Sequence, residues 1–337
     1  MNTKQIVFDK PFSAKLVDVE CPQPRENQVM VEIMFTTISN GTERANLIGD
    51  ERVSIVKDFV VNFPRRVGYS GAGIVRSIGK KVTKVKVGDR VSCSWGMHQK
   101  MQLFPENCVE KIPDSIDFDE ASIVHIATFP IAAIRKTRFE IGEKAMVMGL
   151  GILGMIALKQ LNAAGASVLV AVDPNPERRK MALEFGADYA FDPMDDNFAD
   201  NVKEVTGGGV NVAIEVTGMG KALDQTLDCM AKYGRVALLG CTRNPDVCID
   251  YYRKVHGPGV SLIGAHTRAR PDFESHSAYW TLEDDKNAIM RLIECGRLKL
   301  SDMVCEVHSP NDAEAVFKRL AEDKNFPVCV QFDWRML

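Results

Sequence analysis

An apolar run, Ala145 to Met148, ends in Gly149-x-Gly151-x-x-Gly154, and a helical pattern follows as far as Gly165. A second apolar run, Val168 to Val172, closes on Asp173. Each part has a job in holding a dinucleotide. Gly149 permits the tight strand-to-helix turn, Gly151 lets the backbone approach a pyrophosphate, and Gly154 lets the helix pack close to the strand. The first helical turn, with Ile152 and Leu153, presents unpaired N–H groups and a partial positive charge to phosphates. Asp173, about 20 residues past the glycines, is placed to accept hydrogen bonds from both ribose hydroxyls. It also repels a 2′-phosphate, so NAD is favoured over NADP. Arg178 and Arg179 stand nearby; Arg178 is a candidate cofactor contact, and the plainer reading of both is a solvated first turn of the next helix.

These residues need a scaffold of alternating strands and helices. Strand patterns fall at Ala145–Met148, Val168–Val172, Tyr189–Phe191, Val212–Val216, Arg235–Leu239 and Val260–Ile263. Helical patterns at Ile152–Ala164, Pro176–Phe185, Phe198–Thr206 and Gly220–Ala231 separate most of them. Such a repeat predicts an α/β fold with a doubly wound parallel sheet, its ligand at the carboxyl ends of the strands. Residues 1–122 instead carry short alternating runs, Ala14–Val19, Gln28–Thr37, Gly71–Ile78 and Arg90–Ser94, punctuated by Pro and Gly. After residue 265 come two helical patterns, Asp284–Cys295 and Asn311–Asp323, and a strand, Val328–Phe332. That tail is too short for a domain of its own. The predicted organisation is therefore a β-rich domain over 1–122, a dinucleotide-binding domain over 123–265, and a return over 266–337 that completes the first.

The composition narrows the partners. The chain has 337 residues, 45% of them apolar and 26% charged, with a formal net charge of −3. That balance gives no electrostatic case for nucleic acid or an anionic membrane, and no apolar run reaches the roughly 20 residues a membrane span needs. The first residues lack the apolar core of a secretory signal. Nine cysteines without a C-x-x-C pair suit free thiols in a reducing cytoplasm, the expected location.

Taken together, Gly79–Val91 (G-K-K-V-T-K-V-K-V-G-D-R-V), Phe104–Pro113 (F-P-E-N-C-V-E-K-I-P), the glycine motif, Glu215–Gly218 (E-V-T-G) and Gly234–Gly240 (G-R-V-A-L-L-G) resemble the medium-chain dehydrogenase/reductase superfamily over essentially the whole chain. The resemblance implies a GroES-like β-barrel catalytic domain with an inserted Rossmann domain, a nicotinamide cofactor, a small-molecule substrate and a homodimer or homotetramer. It also implies that Thr128, Thr217, Gly240, Cys241 and Gly264 approach the nicotinamide, Cys241 as a small residue there.

The departures matter more. Zinc members carry Gly-His-Glu where this chain has Gly68-Tyr69-Ser70, and a zinc-binding cysteine in a segment resembling Ile38-Ser39-Asn40-Gly41-Thr42-Glu43. Either Ser39 or Asn40 takes the cysteine's place. The four-cysteine structural zinc lobe is absent, with only Cys93 and Cys108 in that region. Zinc prefers Cys, His or carboxylate ligands, so neither a catalytic nor a structural zinc is expected, and no metal-ligating residues are assigned. The stretch I-S-N-G-T-E-R with G-Y-S-G is similar to a branch that includes bacteriochlorophyllide dehydrogenases and sugar or polyol dehydrogenase-like proteins.

Without a Lewis acid, hydrogen-bond donors must steady the developing alkoxide, at about 2.7–4 kcal/mol for a well-placed donor. The candidates are Tyr69, Ser39, Glu43 and His98, with Thr42 and Ser70 beside them. Tyr69 either meets a substrate oxygen or packs with its hydroxyl on backbone. Glu43 either handles a proton or orients neighbours and pairs with Arg44. His266 is a second candidate substrate contact. His125 falls at the domain junction, His276 lies in an aromatic loop suited to capping a sugar, and His256 and His308 rank lower. The leading activity is an NAD-dependent interconversion of a secondary alcohol and a ketone, on a polyol, sugar or cyclitol-like substrate. The alternatives are an NADPH-dependent enoyl or quinone reductase, which Asp173 disfavours, and a non-catalytic NAD(H)-binding sensor.

Overall fold

The computed structural model describes residues 1–54, 56, 59–242 and 247–337. The chain divides into two compact units. One joins Met1–Ile126 to Lys286–Leu337, and the other is Ala127–Asp285. These boundaries fall at 126/127 and 285/286, where the sequence patterns suggest 122/123 and 265/266. The larger difference has a physical basis: Asp285 is fully buried and takes ion pairs from Arg135 and Arg270, which holds residues 266–285 in the second unit.

In the first unit the strand Gln28–Thr37 is buried along almost its whole length because it has neighbours on both sides. Ser70–Ile78 pairs with it antiparallel on one side, and Met101–Pro105 and Val330–Asp333 pair with it on the other. It is the middle of a seven-stranded sheet whose path runs Glu306–His308, Val330–Asp333, Gln28–Thr37, Ser70–Ile78, Arg90–Ser94, Val109–Lys111. A three-stranded sheet of Ser13–Glu20, Asn2–Lys10 and Arg65–Arg66 completes a GroES-like barrel. The tail enters the same core. Val316, Phe317 and Leu320 of the helix Ala313–Glu322 are buried with Ile6, Phe8 and Trp334, and the Phe8 and Phe317 rings meet edge-on at 4.9 Å.

The second unit is the predicted Rossmann fold. Its six parallel strands lie in the order Tyr189–Phe191, Val168–Val172, Lys144–Met148, Val210–Glu215, Met230–Leu238, Ser261–Gly264. One row of the ladder runs Tyr189, Val170, Met146, Ala213, Val236, Leu262. Strand order reverses beside Lys144–Met148, whose carboxyl end feeds the glycine motif. One prediction shifts here. The helix expected over Gly220–Ala231 stops at Asp228, and the next strand starts early, at Met230. Val210 pairs with Met230 but Val212 pairs with Arg235, so residues 231–234 bulge out of the ladder. Among the described residues no helix is long and apolar enough to cross a membrane.

Candidate functional site

At the reversal of strand order, Gly149 adopts φ +98°, a left-handed conformation that suits glycine, and a Cβ on Gly154 would collide with the carbonyl oxygen of Gly149. Those two glycines are demanded by the protein's own packing. Gly151 is different, because a Cβ there would meet nothing within 4 Å. It is the N-cap of the helix Ile152–Ala163 and supplies no side-chain cap, so the N–H groups of the first turn have no intrahelical acceptor. An open cradle above a helix N-terminus fits a pyrophosphate.

Asp173 is 5% exposed. One carboxylate oxygen accepts from the N–H of Leu150 and the other from that of Asn175, both at 2.8 Å. Each oxygen keeps a lone pair for a ribose hydroxyl. Arg178 Nη1 lies 3.8 Å from the same carboxylate. The solvated reading of Arg179 is corrected: its Nη1 donates to the Asp173 carbonyl at 2.7 Å and to Asp192 at 3.0 Å. Further along the carboxyl edge, buried Glu215 accepts from the Thr217 N–H at 2.7 Å, from the Thr217 hydroxyl and from the Gly218 N–H at 3.1 Å. Gly240 donates its N–H to the Glu215 carbonyl at 2.9 Å, and the Cys241 backbone abuts Gly218 while its side chain is exposed. Gly264 ends the edge strand, and Thr128 is buried with its carbonyl held by Arg270. The dinucleotide fits these residues.

A second constellation forms in the barrel unit. Ser39 is the N-cap of the helix Asn40–Ile48, yet its hydroxyl makes no cap bond. It accepts the phenol of Tyr69 instead. Glu43 takes over at the helix start, reaching back to accept the Ser39 N–H at 2.8 Å. Its other oxygen meets His98 Nε2 at 2.8 Å, and His98 Nδ1 meets Thr36 Oγ1 at 2.7 Å. The indole N–H of Trp334 donates to the same Thr36 oxygen at 2.9 Å. A carboxylate only accepts, so Nε2 carries a proton toward Glu43, and in the neutral tautomer Nδ1 accepts from the Thr36 hydroxyl. His98 fits beneath because residue 68 is glycine: a Cβ there would sit 2.6 Å from the His98 backbone nitrogen, and φ is +96°.

The structure therefore brings together Tyr69, Ser39, Glu43 and His98. Ser39, Glu43 and His98 are all buried, at 3%, 2% and 0% exposed, and the Glu43 carboxylate links the Ser39 backbone to the His98 ring. Of the two cysteine-place candidates, Ser39 takes the position beside Tyr69, while Asn40 donates to the carbonyls of Pro327 and Val328. Arg44 donates to the Ala321 carbonyl, and Glu43 pairs with His98 in its place. Ser70 donates to the Ser122 carbonyl at 2.5 Å and is buried.

One residue carries more weight than its sequence setting suggested. His125 lies 5.8 Å from the Tyr69 ring and 4.6 Å from that of Trp95, edge-on to both. Trp95 itself has φ +59° and is 44% exposed, its N–H bonded to the Tyr69 carbonyl at 2.8 Å. A non-glycine residue held in this region marks a local constraint, and the only signal in the sequence was the W-G-M-H loop. His266 is held by the Arg268 N–H at 3.2 Å, and burial pulls its pKa below the usual imidazole value. His276 bridges to Tyr279, His256 stacks on Tyr251, and His308 pairs with Glu306.

Zinc prefers Cys, His or carboxylate ligands; here the Tyr69 and Ser39 hydroxyls are bonded to each other, Glu43 is paired with His98, and no group of three or more His, Cys, Asp or Glu placed to hold a metal occurs among the described residues.

Residues 25–114 match the family model of the alcohol dehydrogenase GroES-like domain, and residues 153–280 that of the zinc-binding dehydrogenases. The chain is 26% identical to the L-threonine 3-dehydrogenase of Pyrococcus horikoshii, with 89% of each chain covered. It is 25% identical to the (R,R)-butanediol dehydrogenase of Bacillus subtilis, covering 72% of this chain and 80% of that one. Among solved structures, an Escherichia coli oxidoreductase/dehydrogenase of unknown specificity superposes with a TM-score of 0.85 at 19% identity, over 99% of both chains. With the barrel, the Rossmann sheet and both family matches in one chain, this protein belongs to the alcohol dehydrogenase-like branch of the medium-chain dehydrogenase/reductase superfamily.

Proposed function

We propose that this oxidoreductase uses NAD(H) to interconvert a secondary alcohol and a ketone, on a polyol, sugar or cyclitol-like substrate, without catalytic zinc. We further place it in the cytoplasm as a homodimer or homotetramer. The observation that carries the proposal is the Ser39 hydroxyl, which leaves its helix N-terminus to accept the Tyr69 phenol. A serine at an N-cap ordinarily bonds the helix's own N–H groups; here Glu43 holds the Ser39 N–H and leaves the hydroxyl to Tyr69.

A bound nicotinamide supplies the hydride chemistry. The chain's own work is orientation and charge. Gly151 and the helix N-terminus receive the phosphates, and Asp173 receives the ribose. Ser39 accepts from Tyr69 and keeps its own O–H to donate to a substrate oxygen. Glu43 and His98 fix Ser39 from behind, and Trp95 and His125 wall the phenol.

The test is single-turnover hydride transfer followed at the nicotinamide absorbance, with a polyol panel. Tyr69→Phe should slow transfer on the order of 100-fold and leave NAD affinity unchanged, since the cofactor residues belong to the other unit. Transfer at the parent rate would make Tyr69 structural, and a parent that turns over no polyol would favour the sensor reading. Calorimetric titration decides the cofactor. Asp173→Ala should weaken NAD far more than NADP, and tighter NADP binding by the parent would overturn the assignment. Elemental analysis should find well under one zinc per chain; stoichiometric zinc whose chelation abolishes activity would refute a metal-free mechanism.

A further inference from the structure

At the end of the helix Val124–Lys136, Arg135 and Lys136 meet Arg270 and Asp285 of the same unit. Asp285 is fully buried and takes Arg135 Nη2 at 2.9 Å and Arg270 Nη1 at 3.4 Å. Arg270 also donates to the carbonyls of Thr267 and Thr128, each at 3.0 Å. Arg135 lies 3.6 Å over the Trp280 ring. Both guanidinium groups thus share one carboxylate. Lys136 has none. It is only 6% exposed, and among the described residues its ammonium has no hydrogen-bond or ion-pair partner, only the face of Tyr279 at 5.8 Å.

Burial first, and then the charge of Arg270, press the Lys136 pKa below the usual lysine value, with Asp285 acting the other way. On His266 burial acts first, then Arg268 and, last, Lys136, all in the same direction. Arg135, Arg270 and Lys136 outnumber the two carboxylates beside them, Asp285 and the Asp284 that acts on it, by one positive charge, and a buried excess charge is costly until an anion completes it. An ammonium on a flexible stem suits that role, as a compact point charge for phosphate or carboxylate oxygens.

We propose that Lys136, backed by Arg270 and set over the face of Tyr279, binds the anionic group of the substrate, so that the alcohol oxidised is an acidic one: a sugar acid, a hydroxy acid or a sugar phosphate. This rests on the dehydrogenase reading, which sets Thr128 and Gly264 at the nicotinamide; Arg270 holds the Thr128 carbonyl, and His266 follows Gly264 by two residues.

The test compares the full chain with Lys136→Met, which keeps the length of the side chain and removes its charge. Calorimetric titration with inorganic phosphate should show binding to the parent that weakens at least about ten-fold in the variant. With gluconate and sorbitol 6-phosphate as the acidic substrates, kcat/KM should fall on the order of 100-fold, while the value for neutral sorbitol and the affinity for NAD stay unchanged. Whichever acid responds more identifies the group as carboxylate or phosphate. Equal phosphate binding by both proteins, or equal losses on neutral and acidic substrates, would overturn the proposal. If the variant folds poorly, acylation of the parent decides the matter: phosphate should protect Lys136 from modification, read by peptide mass spectrometry, and an unprotected Lys136 refutes the site. A parent that binds phosphate yet oxidises no alcohol would sink the dehydrogenase reading and leave the anion site standing.

Discussion

Buried Glu43 joins the two halves of the barrel-unit constellation. One of its oxygens holds the backbone of Ser39 and the other holds His98, and neither residue of the Glu43–His98 pair is exposed. Glu43→Ala would leave a buried imidazole N–H and a helix-start N–H without acceptors, at a cost of about 1–3 kcal/mol for each group left unsatisfied. Urea unfolding should therefore show a clear loss of stability. Glu43→Gln, which keeps an acceptor oxygen, should recover a large part of it. Parent-like stability in Glu43→Ala would mean that water replaces the carboxylate and that Ser39 is not fixed from behind. Gly68→Ala acts on the same ring from the other side. The left-handed backbone and the His98 nitrogen 2.6 Å from the new Cβ both oppose it, so it should be destabilising by more than about 1 kcal/mol in the same measurement.

The strand-to-helix turn of the glycine motif separates glycines that serve the fold from one with open space around it, which the proposed function gives to the pyrophosphate. Gly154→Ala should lower the melting temperature, because its Cβ has no room against Gly149. Gly151→Ala should melt like the parent and bind NAD at least about ten-fold more weakly, as a methyl there meets only the incoming phosphate. Unchanged NAD affinity in Gly151→Ala would remove the pyrophosphate from this turn. Glu215, at the end of its strand, gives the pH test. Burial raises its pKa, with the bonds from Thr217 and Gly218 pulling back. The folded chain thus binds that proton more tightly than the unfolded chain, and the charged form costs stability as pH rises through and beyond the usual carboxylate range. Glu215→Gln should raise the melting temperature more at pH 7 than at pH 4, and the reverse order would be fatal to this account. The Rossmann unit was legible in sequence because its signals are local: three glycines within six residues, a strand on either side, an acid at the second strand's end. The constellation around Ser39 was legible only as a set of candidates. Tyr69 is 30 residues from Ser39, and His98 is 55 from Glu43, so only the barrel's pairing puts them in contact. No local pattern distinguishes an N-cap serine that caps from one that turns away. The early start of Met230–Leu238 was hidden for a related reason, since its bulge depends on how Gly209 meets the backbone of Met230 and Ala231.

At the scale of the whole molecule, each of the two units has a large hydrophobic core among the described residues. The barrel core draws on both ends of the sequence, with Phe8, Val31 and Phe104 packed among Phe317, Phe332 and Trp334. The Rossmann core is made from one continuous stretch, with Met146, Val170, Ala213 and Val236 at its centre. A ligand held by the second unit should therefore stabilise that unit, and a cavity in the first should weaken only the first. Scanning calorimetry on the full chain can read both. NAD at 100 times its Kd should add about 2.7 kcal/mol to the stability of the species that binds it, moving the Rossmann transition upward. Trp334 is fully buried, and its indole N–H donates to Thr36. Trp334→Ala should cost about 3–5 kcal/mol and move the barrel transition downward. It should leave the transition that responds to NAD where it was, and leave NAD affinity unchanged. A single transition that NAD raises and Trp334→Ala lowers together would mean that the two cores melt as one. Loss of NAD binding in Trp334→Ala would mean that the dinucleotide site depends on the barrel, against its assignment to residues 127–285 alone.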